Sequence, residues 1–182
     1  SMIYEREMGV MRLLLTSPLP RWFLLLSKIV AGTLLSIIQV YFFLLICWIF
    51  GIRIPNYGLV YIFPFLFVSG LMLGSLGLLI TVYVRQLENF AGIMNFVIFP
   101  MFFLSTSLYP AWKIRESGNE ILYWLLNLNP FTHNVELIRH AAYSSFNFNS
   151  FLVVVLCGLF FFFTSAYGYS PKFGFAKKLT NP

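Results

Sequence analysis

The sequence has 182 residues, of which 59% are hydrophobic, 20% are aromatic and only 10% are charged. An ordinary soluble domain carries about a quarter charged residues, so this chain cannot cover itself with polar surface, which excludes an aqueous globular domain. The formal net charge of +6 would favour a nucleic-acid partner in a soluble protein, whereas in a membrane protein the basic residues first indicate topology.

The two cysteines argue against a disulfide-rich or thiolate-metal protein, and the first residues do not form a signal peptide. Cys47 and Cys157 each lie in a strongly apolar run, so neither a disulfide framework nor a thiolate metal site is predicted. Ser1 and Met2 are followed directly by a polar, helix-like stretch, without the charged, apolar and small regions of a signal peptide. We therefore expect further sequence upstream of Ser1.

The first predicted element is residues 4–20, YEREMGVMRLLLTSPLP, which precede the first long apolar stretch. Three leucines at 13–15 make it partly apolar. Four charged residues keep it out of the bilayer: Glu5, Arg6, Glu7 and Arg12. This combination predicts an interfacial helix that ends near Pro18. On periodicity alone, the simplest interpretation is an amphipathic helix before the span, without a partner.

The next elements are four apolar stretches, each long enough for the roughly 20 residues that a spanning helix needs. They cover residues 29–52, 58–84, 90–108 and 151–169. The second exceeds that length, and Pro64 near its beginning predicts a kink or a helix start. The predicted fold is therefore all-α: a polytopic transmembrane helical bundle over residues 21–182, preceded by the interfacial helix over residues 1–20.

The basic residues predict the orientation of these spans. If the spans alternate, eight of the twelve Lys and Arg residues fall on one side: Arg6, Arg12, Arg21, Lys28, Arg85, Lys172, Lys177 and Lys178. The other side holds Arg53, Lys113, Arg115 and Arg139. Since cytoplasmic loops carry the excess of Lys and Arg, we expect residues 1–20 and the tail 170–182 in the cytoplasm and the loop 109–150 outside.

Small and polar residues inside the spans predict where helices meet. Gly70 and Gly74 form a small-x-x-x-small pair, continued by Gly77, which favours close packing of membrane helices. Gln39 lies at mid-span depth and is predicted to bond to a neighbouring helix. For Asn95 two interpretations stay open, a bond between helices and a position on a transport path, because it shares one predicted helix face with Phe99, Phe102, Phe103 and Thr106.

The external loop contains two further predicted helices. Apolar residues recur at or beside helical spacing in residues 120–128: Ile121, Trp124, Leu125 and Leu128. This predicts a short amphipathic helix that lies at the membrane surface. Asn129 and Pro130 are predicted to end it, and a second helix over residues 132–142 is predicted to follow. Together they form a short external helical hairpin.

One group of residues in this hairpin could hold a metal ion. His133, Glu136 and His140 are spaced to share one face of a continuous helix, and three such ligands could bind zinc. The spacing matches no zinc-protease motif, and no second carboxylate that would activate water is evident, so no metal site is predicted. The sequence also has no G-x-x-x-x-G-K-[ST] loop, so ATP is not bound through that motif.

Several separated motifs resemble one membrane family. Glu5-Arg6-Glu7, Gly9, a leucine run and Thr16-Ser17-Pro18-Leu19 resemble the cytoplasmic coupling helix of type-2 ABC exporter permeases. Motifs further along the chain resemble the exit from that family's fifth span and its external hairpin: Phe103-Leu104-Ser105, Tyr109-Pro110, Asn129-Pro130-Phe131-Thr132, Val135-Glu136 and Ile138-Arg139. Val10 and Arg12 depart from a frequent Thr and a common acidic residue, which alters the charge pattern offered to an ATPase.

The resemblance implies an arrangement of partners. The family fold has six spans, with the coupling helix between the second and third, so this sequence would supply the last four spans and lack the first two. The residues that would dock a separate ATPase subunit are Glu5, Arg6, Glu7 and Gly9. That subunit would bind ATP and Mg, so no cofactor is expected in this chain. The fifth span, with Asn95, would border the transport path at a dimer interface with a second permease copy, identical or paralogous.

The sequence is therefore interpreted as a transport subunit rather than an enzyme, a multi-pass exporter permease among the lipids of a bacterial inner (cytoplasmic) membrane. The family it resembles moves lipid-linked polysaccharides, lipo-oligosaccharides, drugs and haem-related or antibiotic compounds. The alternative is a membrane-embedded enzyme or assembly factor that uses His133, Glu136 and His140. An ATP-independent carrier would need ionisable residues deep in the spans, and the sequence has none there.

Overall fold

The computed structural model describes residues 21–51, 56–84, 87–109, 113–114, 118 and 120–168. Within these ranges every regular element is a helix and there is no strand, which confirms the predicted fold class. The predicted coupling helix over residues 1–20, with Glu5, Arg6, Glu7 and Gly9, lies outside the described residues. The tail 170–182 lies outside them as well.

The described helices follow one another along the chain as α1 (Arg21–Ile49), α2 (Asn56–Tyr83), α3 (Leu87–Phe103), α4 (Glu120–Leu128), α5 (Pro130–Ala142) and α6 (Phe148–Gly168). A helix therefore covers most of each predicted span. The first begins at Arg21 rather than at residue 29, because the fully buried Leu25 packs with Ile29 against Leu78 of α2.

Three of these helices, α1, α2 and α6, are long and apolar enough to cross a membrane. The third helix, α3, is also apolar but has only 17 residues. At 1.5 Å per residue it extends about 25 Å, less than the roughly 30 Å of a hydrocarbon core. A chain that enters the bilayer along α3 therefore leaves its helical conformation before it reaches the opposite surface.

The antiparallel pair α1 and α2 meets at small residues. A Cβ added to Gly70 would lie 2.6 Å from Cγ2 of Thr33, and one added to Gly74 would lie 2.8 Å from Cγ2 of Ile29. Nearer the other end of the pair, the hydroxyl of Tyr41 donates a 2.7 Å hydrogen bond to the carbonyl of Leu59. The absence of a side chain at the two glycines thus lets the helices approach each other.

The largest core lies where α2, α5 and α6 meet. Leu137 and Ala141 of α5 are completely or almost completely buried, as is Val154 of α6, and they pack with residues of α1 and α2. Gly158 of α6 lies so close to α2 that an added Cβ would be 3.4 Å from the Met72 Cα atom. These helices therefore form the most tightly packed body of the described chain.

The α4–α5 hairpin reaches far along α2. Its tip, Asn129 and Pro130, lines an apolar crevice of about 300 Å³ together with Leu76. Leu76 lies about 30 Å along the helix axis from the first residue of α2. At the other end of α5, Phe146 has its ring centroid 5.6 Å from that of Phe65. The hairpin tip therefore lies alongside α2, beyond the middle of that helix, and the position of α4 at the membrane surface stays a prediction.

Candidate functional site

The C-terminal end of α3 lies beside the hairpin tip, where its carbonyl groups need partners. The last carbonyls of a helix have no partner within the helix, and leaving one unsatisfied in hydrocarbon is costly. The hydroxyl of Ser105 donates to the Phe102 carbonyl at 2.6 Å, and the Leu104 amide donates to the Pro100 carbonyl at 2.9 Å. A local turn therefore satisfies part of this helix end.

Asn129 satisfies two further carbonyls of this segment. Its Nδ2 atom donates to the carbonyl oxygens of Met101 at 2.6 Å and Leu104 at 2.8 Å. Its Oδ1 atom accepts a 3.0 Å bond from the backbone amide of Phe131, which makes Asn129 the N-cap of α5. Pro130 takes the first helical position, where its missing N–H costs nothing. One side chain thus joins the end of α3 to the beginning of α5.

Arg139, in the last turn of α5, makes a second connection between the hairpin and the segment after α3. Its Nη2 atom donates to the carbonyl of Thr106 at 2.8 Å, and its Nη1 atom donates to Oε1 of Glu136 at 2.8 Å. The Glu136 side chain is only 19% exposed. A partly desolvated carboxylate holds a guanidinium more firmly than a solvated one does, so the ion pair orients Arg139 toward α3.

One side of α3 is packed and the other is not. Met94, Val97 and Met101 are among the residues that pack onto the buried cluster formed by Leu76, Ile80 and Val84. Within the described chain, the opposite side of α3 is exposed and holds Asn95, Phe96, Phe99 and Phe103. The rings of Phe99 and Phe103 stack there with centroids 6.3 Å apart. This exposed side has no partner helix among the residues described.

The predicted five-residue face of this span differs from the observed one. Asn95, Phe99 and Phe103 lie on the exposed side. Because α3 ends at Phe103, Thr106 lies beyond the helix and is buried. Phe102 turns toward the hairpin, with its ring centroid 6.2 Å from that of Phe131. The predicted face requires a helix that continues to residue 108, whereas the helix ends at Phe103 and the chain turns there.

Among the other span residues predicted to contact a neighbouring helix, some do so in the structure and others do not. Gly70 and Gly74 lie in the close α1–α2 contact, whereas a Cβ at Gly77 would meet nothing within 4 Å. Gln39, predicted to bond to a neighbouring helix, is exposed on the surface of α1. Two serine hydroxyls of these helices, those of Ser36 and Ser75, bond to carbonyls of their own helix, at 3.0 and 2.7 Å.

The three candidate metal ligands of the hairpin have separate roles. His133 places Nε2 2.8 Å from the carbonyl oxygen of Asn127, which closes the hairpin. Glu136 pairs with Arg139 and lies 3.8 Å from Nε2 of His140. Across the ranges that the structure describes, no group of three or more His, Cys, Asp or Glu residues is placed to hold a metal ion.

Residues 1–143 match the ABC-2 type transporter family. The chain belongs to this family. The predicted resemblance to type-2 ABC permeases is confirmed by this match, which includes the N-terminal segment, α3 and the hairpin. As an ABC-2 chain with apolar helices long enough to span a bilayer, it is a multi-pass membrane protein of the transport permease type.

Relatives of this ABC-2 permease carry transport and nodulation names. It is 30% identical over 154 residues to the transport permease ycf38 of Cyanophora paradoxa, a match that covers 83% of this chain and 52% of that protein. It is 27% identical over 115 residues to nodulation protein J of Azorhizobium caulinodans, with coverages of 63% and 40%. The chain thus spans about half or less of these relatives. No solved structure matches it.

Sequence reasoning missed the two residues that join the hairpin to α3. From the sequence alone, Asn129 is placed at the end of α4 and in the hairpin motif, but not at the start of α5, although Asn followed by Pro is a strong signal for an N-cap and first helical residue. That signal would have placed the start of α5 at Pro130 rather than at residue 132. Arg139 is interpreted from the sequence as an external basic residue and as part of the hairpin motif, and its bond to Thr106 joins residues too distant in sequence for any local pattern to indicate.

Proposed function

We propose that this chain is the membrane part of an ABC exporter that moves an amphipathic substrate, lipid-linked, glycosylated or drug-like, out of a bacterial cytoplasm across the inner membrane. A separate ATPase subunit binds ATP and Mg and hydrolyses the nucleotide. A second permease copy, identical or paralogous, completes the path. Membership of the ABC-2 family supports this proposal, and so do relatives that are described as a transport permease and as nodulation proteins.

The exposed side of α3 is the observation that carries the proposal. Asn95 presents an amide there, at mid-helix. Pro100 has no N–H, so the carbonyl of Phe96, four residues earlier, cannot receive its usual helical bond. Polar groups inside a membrane helix are stable where they meet water or another chain, and not where they face lipid tails. This side of α3 therefore suits a wet path or a partner permease better than it suits lipid.

The path in this proposal follows the exposed side of α3 from Asn95 past Phe99 to Phe103. The aromatic rings offer broad apolar surfaces for the lipid or ring portions of a substrate, and Asn95 offers a donor and an acceptor. Phe102 contributes indirectly, since it supports the hairpin through Phe131. Thr106, buried beyond the helix, contributes through its carbonyl rather than its hydroxyl.

In this proposal, residues 1–20 transmit the conformational change of the ATPase to the membrane helices. Glu5, Arg6, Glu7 and Gly9 dock the ATPase, as the resemblance to the coupling helix implies. Closure of the ATPase pair then rocks the spans as rigid bodies between inward-open and outward-open states. This segment directly precedes α1 in the sequence, and the tight packing of α1 on α2 would carry a movement of α1 into the bundle.

The path is tested in the full-length permease with its ATPase, reconstituted in vesicles. Asn95→Ala and Phe99→Ala are expected to change ATP-dependent export or substrate preference, whereas Leu156→Ala serves as the matched control. Leu156 is a similarly exposed apolar residue, but it belongs to α6 rather than to α3. If Leu156→Ala impairs export as much as Asn95→Ala and Phe99→Ala do, the exposed side of α3 is a packing surface and not a path.

A further inference from the structure

The C-terminal end of α3 is held to the hairpin by three side-chain hydrogen bonds. Two come from Asn129, to the carbonyls of Met101 and Leu104, and one comes from Arg139, to the carbonyl of Thr106. Much of the apolar surface of this segment stays exposed, in Phe103, Leu104, Leu108 and Tyr109. Polar bonds to backbone atoms, more than apolar packing, therefore fix where α3 ends.

We propose that Asn129 and Arg139 are positioning residues that form a latch, defined by these three bonds, and that the latch opens when the transport path opens toward the outside. The proposal rests on the proposed function, in which α3 borders the path. The hairpin is the fixed side of the latch, because Leu137 and Ala141 of α5 are buried in the main core. The end of α3 is the side that moves.

The chemistry of the latch couples opening to the entry of water. In a dry surrounding, releasing Asn129 would leave the carbonyls of Met101 and Leu104 without donors, which is unfavourable. Water that enters an opening path can take over both carbonyls, so the bonds are exchanged rather than lost. The latch therefore stays closed while the path is dry, and the free-energy cost of breaking its bonds falls once the path is hydrated.

Substitutions can separate the latch from the folding of the hairpin. Asn129→Asp keeps the size of the side chain and the oxygen that accepts from Phe131, and Asp is as good an N-cap as Asn. It loses the two N–H donors and places negative charge beside the carbonyls of Met101 and Leu104. Arg139→Gln shortens the side chain and removes its charge. Arg139→Lys retains the charge beside Glu136 but offers a single ammonium group in place of the two guanidinium nitrogens that bond to Glu136 and Thr106.

The test measures the accessibility of the end of α3 in the full-length permease with its ATPase. A cysteine replaces Leu104 in a background in which Cys47 and Cys157 are alanine, and its reaction with a membrane-impermeant maleimide is followed from outside. A cysteine at Tyr143, an exposed residue just after α5, is the matched control. Without nucleotide, Asn129→Asp is expected to raise the labelling rate of Leu104→Cys on the order of tenfold and to leave that of Tyr143→Cys unchanged.

Further outcomes separate the latch from a merely structural role. During ATP turnover, Leu104→Cys is expected to label faster in the otherwise unaltered protein but no faster in the Asn129→Asp variant. Arg139→Gln, the second variant should Asn129→Asp fail to fold, is expected to raise labelling as well, and Arg139→Lys to restore part of the slow rate. A structural role would instead raise labelling at both cysteines or leave both unchanged, and either result overturns the latch.

The latch and the proposed function can fail separately. Labelling of Leu104→Cys that rises in Asn129→Asp, in a permease that neither exports nor responds to ATP, would show that the three bonds hold the end of α3 and would contradict the ATP-driven exporter. ATP-dependent export, together with a labelling rate of Leu104→Cys that changes in neither Asn129→Asp nor Arg139→Gln, would support the exporter and overturn the latch.

Discussion

Gly70 of α2 meets Thr33 of α1 so closely that a Cβ built on Gly70 would lie 2.6 Å from the Cγ2 atom of Thr33. Thr33 is buried, at 2% exposure. Two turns further along α2, a Cβ on Gly77 would meet nothing within 4 Å. The sequence pattern treats these glycines alike, but only one of the two lies against a neighbouring helix in the described chain.

The first prediction contrasts these two glycines. Gly70→Ala is expected to lower the free energy of unfolding by about 1–3 kcal/mol, since overfilling a packed contact forces side chains or backbone to shift and the branched Thr33 has few rotamers to escape into. Gly77→Ala should be neutral to within about 0.5 kcal/mol, or slightly stabilising through helix propensity. Thermal unfolding of the purified full-length permease in detergent measures both.

A second substitution sharpens that test. Thr33→Ser removes the Cγ2 atom and keeps the hydroxyl, so it should restore most of the stability lost in Gly70→Ala, a coupling that a double-mutant cycle isolates. Equal destabilisation by Gly70→Ala and Gly77→Ala, with no restoration by Thr33→Ser, would contradict the close contact.

The second prediction concerns topology. In intact cells, cysteines placed at Ser17 and at Thr180 are expected to resist membrane-impermeant thiol reagents, while one at Ser117 should react, because the excess of Lys and Arg assigns the first two positions to the cytoplasm. Cys47 and Cys157 are replaced by alanine in all three variants. Permeabilised cells, in which all three cysteines should react, provide the control. The opposite labelling pattern would reverse the orientation.

Sequence alone predicted the helical class and the approximate positions of the apolar helices, because long apolar runs in a membrane protein leave few other conformations. It also predicted the helix over residues 120–128, whose bounds agree with α4. Local signals were sufficient for each of these elements. Where the sequence carried a local signal that was overlooked, as at Asn129 and Pro130, the start of α5 was misplaced by two residues.

Other features depended on contacts that no local pattern contains. The descent of the hairpin along α2 requires the buried face of α5, with Leu137 and Ala141, to find the core between α2 and α6. The turn after Phe103 depends on Asn129, more than twenty residues later. A continuous apolar run through residue 108 therefore predicted a longer helix, because the partner that caps the shorter one is distant in sequence.

The third prediction separates transport from the metal-enzyme alternative. His133→Ala combined with His140→Ala is expected to retain ATP-dependent export in vesicles near the unaltered rate, since the exposed bond from His133 to Asn127 contributes about 1 kcal/mol. Glu136→Gln should impair export more, because it weakens the ion pair that orients Arg139. Export is measured with and without a zinc-selective chelator, with Mg kept in excess so that the ATPase stays active. Loss of activity in the double histidine variant and on chelation would favour a metal site.

The fourth prediction addresses docking of the ATPase. Glu5→Lys combined with Glu7→Lys in the full-length permease should leave membrane insertion intact, because neither residue is expected to enter the bilayer. Losing a partly desolvated charged contact at an interface can cost on the order of 2–5 kcal/mol, enough to release the ATPase or uncouple it. Replacing Gly9 by a bulky residue should disrupt docking sterically. Lys113→Glu, a charge reversal at an exposed residue in the loop predicted to be external, is the matched control.

Pull-down of the ATPase together with ATP-dependent export in vesicles tests the central claim, that this permease is driven by a separate ATPase through residues 5–9. The expected result is normal expression of every variant, loss of bound ATPase or of export in the Glu5→Lys, Glu7→Lys protein, and full binding and export in Lys113→Glu. Binding and export at the unaltered rate in the doubly reversed protein would contradict the claim, and residues 1–20 would then only anchor the chain before its first span.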